Sequence, residues 1–99
     1  MRLRNFLQLL TMAFDIVDPT DFLDNGLFLE QKFLAKADEH DWAGYRDKKV
    51  LVRGCQSAIV PPWAYMLITG RLAPFARSVR FGNEHDNMVV FRKAKTLDS

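Results

Sequence analysis

Cys55 is the residue whose type and setting point most directly to covalent chemistry. It is the only cysteine of the 99-residue chain, set between a β-prone run, Lys48 to Gly54, and a helix-prone segment opened by Pro61-Pro62. In an α/β unit the loop Gly54-Cys55-Gln56-Ser57 falls beyond the carboxyl end of a strand, where ligands usually bind. If the thiol also lies near the N-terminus of the next helix, the helix dipole and free N–H groups favour the thiolate, the reactive form. That makes Cys55 the candidate nucleophile or sulfur carrier, and Gly54, Cys55, Gln56 and Ser57 the candidate ligand-binding loop. No CxxC partner and no histidine nearby in sequence accompanies it. Free cysteine is among the most buried residue types, so a small packed hydrophobe is the stronger of the two readings.

The two histidines sit in similar acidic clusters, Asp38-Glu39-His40-Asp41 and Asn83-Glu84-His85-Asp86. Zinc and iron sites draw three or four ligands at defined spacings, and two separate histidines in polar turns are ordinarily solvated. No metal and no cofactor is therefore expected. Phosphate-binding glycine loops, nucleophile elbows and serine triads are also missing from the sequence, which leans away from an enzyme.

The elements that must position these residues can be read from capping and periodicity. Asp18-Pro19-Thr20-Asp21 has the composition of a helix start, with a stop expected near Asn25-Gly26. Leu29, Phe33, Leu34 and Ala37 then share one face at helical spacing, opposite Glu30, Lys32 and Lys36, which predicts an amphipathic helix. Trp42 and Tyr45, in the polar turn after it, are expected to clamp that helix to a sheet. The apolar centre of Lys48 to Gly54 predicts a strand in the middle of the sheet, covered on both faces. A second helix is expected from about Pro62 to about Leu72, and it is apolar around nearly its whole circumference. Ser78 to Gly82 and Met88 to Phe91 read as strands joined by the turn-like stretch Asn83 to Asn87. The fold class that follows is α/β: a small, partly parallel sheet with a central right-handed βαβ unit and an amphipathic N-terminal helix.

Composition bounds the remaining possibilities. With 48% hydrophobic residues and twelve aromatics, the chain is a folding sequence large enough for one domain. We divide it into an N-terminal arm (1–13), a single α/β domain (14–92) and a flexible tail (93–99). The arm resembles a signal peptide poorly, because Gln8 and Thr11 interrupt its apolar stretch and Ala13-Phe14-Asp15 is no cleavage site. The longest apolar run, Ala58 to Ile68, is shorter than the roughly 20 residues of a membrane span, so no membrane partner is expected. A lone cysteine makes the cytoplasm the default location. Net charge is +2, split as −2 over residues 1–49 and +4 over residues 50–99. Arg71, Arg77, Arg80, Arg92, Lys93 and Lys95 are spread over several elements instead of forming a dense stripe, which speaks against nucleic acid as a partner.

The stretch from Phe14 to Gly82 also resembles a bacterial family, domain of unknown function 2480. The residues that carry the resemblance begin with Asp21-Phe22-Leu23, Gly26-Leu27, His40-Asp41-Trp42, Tyr45, Lys49-Val50 and Cys55. The strongest segment is Ala58-Ile59-Val60-Pro61 with Trp63-Ala64-Tyr65-Met66-Leu67, followed by Leu72, Pro74, Ala76 and Phe81-Gly82. The resemblance brings no activity and no catalytic residues. It implies that longer members carry a second copy of the pattern, which a single-copy chain would restore by dimerising. It further implies gene neighbourhoods shared with iron–sulfur cluster assembly, which would suit a sulfur-handling Cys55.

Two functional expectations result. The first is a non-enzymatic homodimeric assembly or accessory module, with a possible further protein partner. Its interface is expected at Pro61, Trp63, Tyr65, Met66 and Ile68, since an all-round apolar helix in a small domain needs cover from outside. The alternative is a thiol-dependent sulfur carrier or iron–sulfur assembly accessory acting through Cys55. The sequence leaves open whether the bonds preceding Pro61 and Pro62 are cis or trans.

Overall fold

The computed structural model describes residues 14–54 and 59–94. In chain order they form β1 (Asp15–Val17), a 3-10 turn (Pro19–Phe22), α1 (Glu30–Glu39), a second 3-10 turn (Trp42–Tyr45), β2 (Lys49–Arg53), α2 (Pro62–Leu72), β3 (Ser78–Gly82) and β4 (Asn87–Arg92). The four strands make one sheet in the order β1-β2-β3-β4, with β1, β2 and β3 parallel and β4 antiparallel to β3. The mixed α/β architecture and its β2-α2-β3 unit follow the sequence reading; β1 is an additional edge strand. The arm at 1–13, the loop residues Cys55, Gln56 and Ser57, and residues 95–99 lie outside the described residues. Among the described residues no helix is long and apolar enough to cross a membrane.

Strand β2 shows why its sequence lacks alternation. It is paired on both edges, and Val50, Leu51 and Val52 are all fully buried. Side chains alternate across a strand, so Val50 and Val52 face one way and Leu51 the other. Val50 and Val52 join Val17 and Val79 in one cluster with Phe33 and Ala37 of α1 and Ala64, Ile68 and Leu72 of α2. Both helices therefore lie on the same face of the sheet. The opposite face carries Ile16, Leu51, Ser78 and Arg80.

Local chemistry sets the ends of the elements. The Asp18 carboxylate accepts from the Thr20 N–H at 3.0 Å and from the Thr20 hydroxyl at 2.8 Å, and Pro19 opens the turn. That turn stops at Phe22, earlier than the sequence predicts. Asn25 and Gly26, with φ of 53° and 79°, instead form a tight reversal in which Asp24 and Leu27 exchange two backbone hydrogen bonds of 2.9 Å. In α1, Phe33 and Ala37 are buried as expected, but Leu29 precedes the first turn in extended conformation and stays exposed. Trp42 ties α1 to the first 3-10 turn, where a clamp onto the sheet was the expectation: its ring stacks on Phe22, and its indole N–H donates to the Ala37 carbonyl at 2.7 Å. Both peptide bonds at Pro61 and Pro62 are trans.

The β3-β4 hairpin turns through Asn83, whose side-chain oxygen accepts from the N–H groups of His85 and Asp86 at 2.8 Å each. Gly82 enters this turn at φ 138°, and a Cβ there would overlap the Asp86 carbonyl oxygen. Pairing continues one residue past β4, where the Lys93 N–H donates to the Arg77 carbonyl at 2.9 Å.

Candidate functional site

The crevice beyond the carboxyl ends of the parallel strands is the first place to look for chemistry. Gly54 lies there, its N–H donating to the Gly82 carbonyl at 3.0 Å. Beside it, Arg53 spans the crevice mouth, with Asp18 at 3.7 Å on one side and Glu84 on the other. The Glu84 carboxyl is held below its ordinary range, chiefly by a hydrogen bond from its own backbone N–H and then by Arg53. These groups are solvent-accessible, so their pairing orients the loops and adds little stability.

A second group of titratable side chains surrounds a cleft of about 300 Å3 on the β1 edge, lined in part by Asp18, Asp21, Lys36, Glu39, His40 and Tyr45. His40 differs here from the solvated residue the sequence predicts. Its ring lies edge-on to Trp42 at 4.5 Å and to Phe22 at 5.3 Å, and its Nε2 hydrogen-bonds the Tyr45 hydroxyl at 2.8 Å. His85, in contrast, is exposed in the hairpin turn. Among the described residues no three histidine, cysteine or carboxylate side chains gather as a metal site.

Burial, followed by the negative charges of Asp15, Asp21 and Asp41, pushes the Tyr45 hydroxyl above its ordinary pKa of 10.0. At neutral pH Tyr45 is a neutral hydrogen-bonding group. The folded chain holds this proton more tightly than the unfolded chain does. Its contribution to stability is therefore fully present below pH 10 and is lost as pH rises through the raised value. In an ultraviolet titration of the two tyrosines, a component ionising above pH 10 is expected, and Tyr45→Phe removes it. Persistence of that late component in the variant would contradict the assignment to Tyr45.

The third arrangement is apolar and lies on α2. Ile59 is 89% exposed, Met66 72% and Trp63 38%. Trp63 rests edge-on against Phe33 at 5.6 Å and Phe28 at 5.5 Å. Phe28 sits between Leu27 and Leu29, which are themselves exposed, so the patch continues from α2 to the start of α1. The interface expected from sequence is thus narrowed. Ile68 is fully buried in the protein's own core and is removed from it, because a helix lying on a sheet must commit one side to that sheet. Tyr65 is half-buried, edge-on to Phe81 at 5.1 Å, and Pro61 is half-buried with its carbonyl accepting from the Ala64 N–H at 2.9 Å. Met66 and Trp63 remain accessible. The sequence does not assign Ile59, Leu27 and Leu29 to this surface, since exposure of a loop leucine or isoleucine leaves no periodic signal.

No curated protein and no solved structure matches this chain. A family described as "Protein of unknown function (DUF2480)" matches residues 3–98, nearly the whole sequence. The strand-loop-helix unit carrying Gly54 and the exposed face of α2 both fall within that match, and the chain belongs to this family.

Proposed function

We propose that the protein is a cytoplasmic, non-enzymatic homodimeric module that works by assembly, with the outer face of α2 as the surface between two copies. The observation that carries this reading is the combination of exposure and neutrality at residues 59–70. Ile59, Trp63 and Met66 are accessible, and none of the twelve residues from Ile59 to Gly70 is charged. Removing apolar surface from water contributes roughly 25 cal/mol per Å2. A two-fold pairing brings the same patch of both copies together, so a patch carrying charge of one sign would oppose its own association. A neutral helix face avoids that opposition. The two-copy pattern implied by the family resemblance supports the same arrangement.

Trp63 reports on this surface directly, because the other tryptophan, Trp42, is buried. Iodide or acrylamide quenching of Trp63 is expected to fall as protein concentration rises from about 10 nM to about 100 μM, a range that brackets ordinary dimer affinities. Strong quenching that persists unchanged at every concentration would mean that the face stays open, and the reading would be wrong. The alternative, a sulfur carrier acting through Cys55, is supported by the position of Gly54 at the carboxyl end of β2. It requires a thiol that is alkylated faster than free cysteine at neutral pH.

A further inference from the structure

The sheet face opposite the helices gathers cations that are scattered in sequence. Lys49, Ser78 and Arg92 are abreast across β2, β3 and β4, because Ser78 pairs in register with both of the others. Arg80 lies two residues further along β3 and therefore on the same face. With Arg77 and Lys93 at the strand ends, these residues line a cleft of about 490 Å3 in which, among the described residues, no carboxylate takes part. That volume falls within the usual range for small-ligand sites.

The cleft's positive charge is poorly compensated. Arg80 donates to the neutral Asn87 side chain at 2.8 Å, and its guanidinium stands 6.0 Å from the Phe14 ring. Arg77 reaches a backbone carbonyl, that of Asp47, at 3.4 Å. Among the described residues Lys93 alone of these meets a carboxylate, Asp47 at 3.4 Å. The side chains of Lys49 and Arg92 have no ion-pair or hydrogen-bond partner among the described residues. Like charges held together over a low-dielectric wall repel one another, and an anion with several closely spaced charges relieves that repulsion. Arginine's forked donors suit phosphate oxygens, and lysine supplies a point charge beside them.

We propose that this face binds a polyphosphate chain, free or as part of a nucleotide, through Lys49, Arg77, Arg80 and Arg92. The site is separate from the α2 surface and does not depend on dimerisation there. Neighbouring strands lie about 4.8 Å apart, so Lys49 and Arg92 start about 10 Å apart and reach inward to the same short anion. Phe14 at the rim is placed to meet an attached base.

The test is calorimetric titration of the full chain with inorganic tripolyphosphate and, separately, with ATP. Binding of tripolyphosphate is expected to weaken with added salt and to fall about tenfold or more in each of Lys49→Glu and Arg92→Glu. Their side chains have no partner among the described residues, so their replacement is expected to leave folding intact, which circular dichroism checks. Arg71→Glu, at a cation paired with Asp38 at 2.7 Å, serves as the control and should bind normally. Equal affinity for the two ligands means that the phosphate chain alone is recognised. Tighter binding of ATP, reduced by Phe14→Ala, means that the base is read as well. Undetectable tripolyphosphate binding, or equal loss in the Arg71 control, would overturn the proposal. A single-stranded oligonucleotide that binds where tripolyphosphate does not would also overturn it, by making the face a nucleic-acid surface.

Discussion

Replacing Phe33 with alanine is expected to lower the free energy of unfolding by about 3–5 kcal/mol, the ordinary cost of emptying a buried aromatic site. Phe33 is almost completely buried, and it meets Phe22 edge-on at 5.8 Å, Phe28 at 5.2 Å and Trp63 edge-on at 5.6 Å. Three rings from three different segments thus converge on one side chain. Their contacts cannot be remade by local collapse without moving α1 toward α2. For a small domain whose total stability is on the order of 5–15 kcal/mol, that loss is a large share. Denaturant unfolding followed by circular dichroism measures it. A loss under about 1 kcal/mol would show that the aromatic cluster is not the junction between the helices. Phe33 also supports Trp63 from beneath, so the same variant should loosen the outer face of α2.

The second large effect is expected at Met66. In the isolated chain its side chain is 72% exposed, so Met66→Asp should leave the fold and its circular dichroism unchanged. Across a dimer surface the change places one unpaired carboxylate from each copy in the contact. Burying an unpaired charge costs several kcal/mol, enough to weaken association by at least about a hundredfold. The variant is therefore expected to sediment as a monomer at concentrations where the native chain is paired. A variant that keeps the native mass would place the contact elsewhere. Because the substitution lies on the helix side of the sheet, polyphosphate binding at the other face should survive it.

Much of the architecture was legible from local chemistry. The uninterrupted apolar centre of β2 announced a strand buried on both faces, and Pro61-Pro62 announced the start of α2. Asn83 to Asn87 marked the turn of the β3-β4 hairpin. The misses have physical causes. Strand β1 has three residues, too few for a period of two to stand out, and its place at the sheet edge comes from pairing with Val50, Leu51 and Val52. Gly26 has the signature of a helix stop, but positive φ serves a tight turn equally well, and Asn25 shares it. His40 carried the acidic neighbours of a surface residue; its aromatic surroundings arrive from Phe22 and Tyr45 through folding.

The candidate sites were less legible because a sequence gives composition and not adjacency. An all-round apolar α2 indicated a need for outside cover, yet only the packing of Ile68 into the core separates inner from outer residues. The basic residues argued against a charged binding face when judged by their spread along the chain. Strand register places Lys49, Arg80 and Arg92 together on one side of the sheet. Pairing partners 29 and 14 residues apart in sequence, Lys49 with Ser78 and Ser78 with Arg92, decide that geometry, and no local pattern encodes them.

The most direct test of the dimeric account is light scattering of the native chain over a dilution series. A mass near twice 11.4 kDa at micromolar concentrations, falling toward 11.4 kDa on dilution, is the predicted result. A mass of 11.4 kDa maintained up to about 100 μM, a concentration at which even weak specific pairs associate, would contradict it.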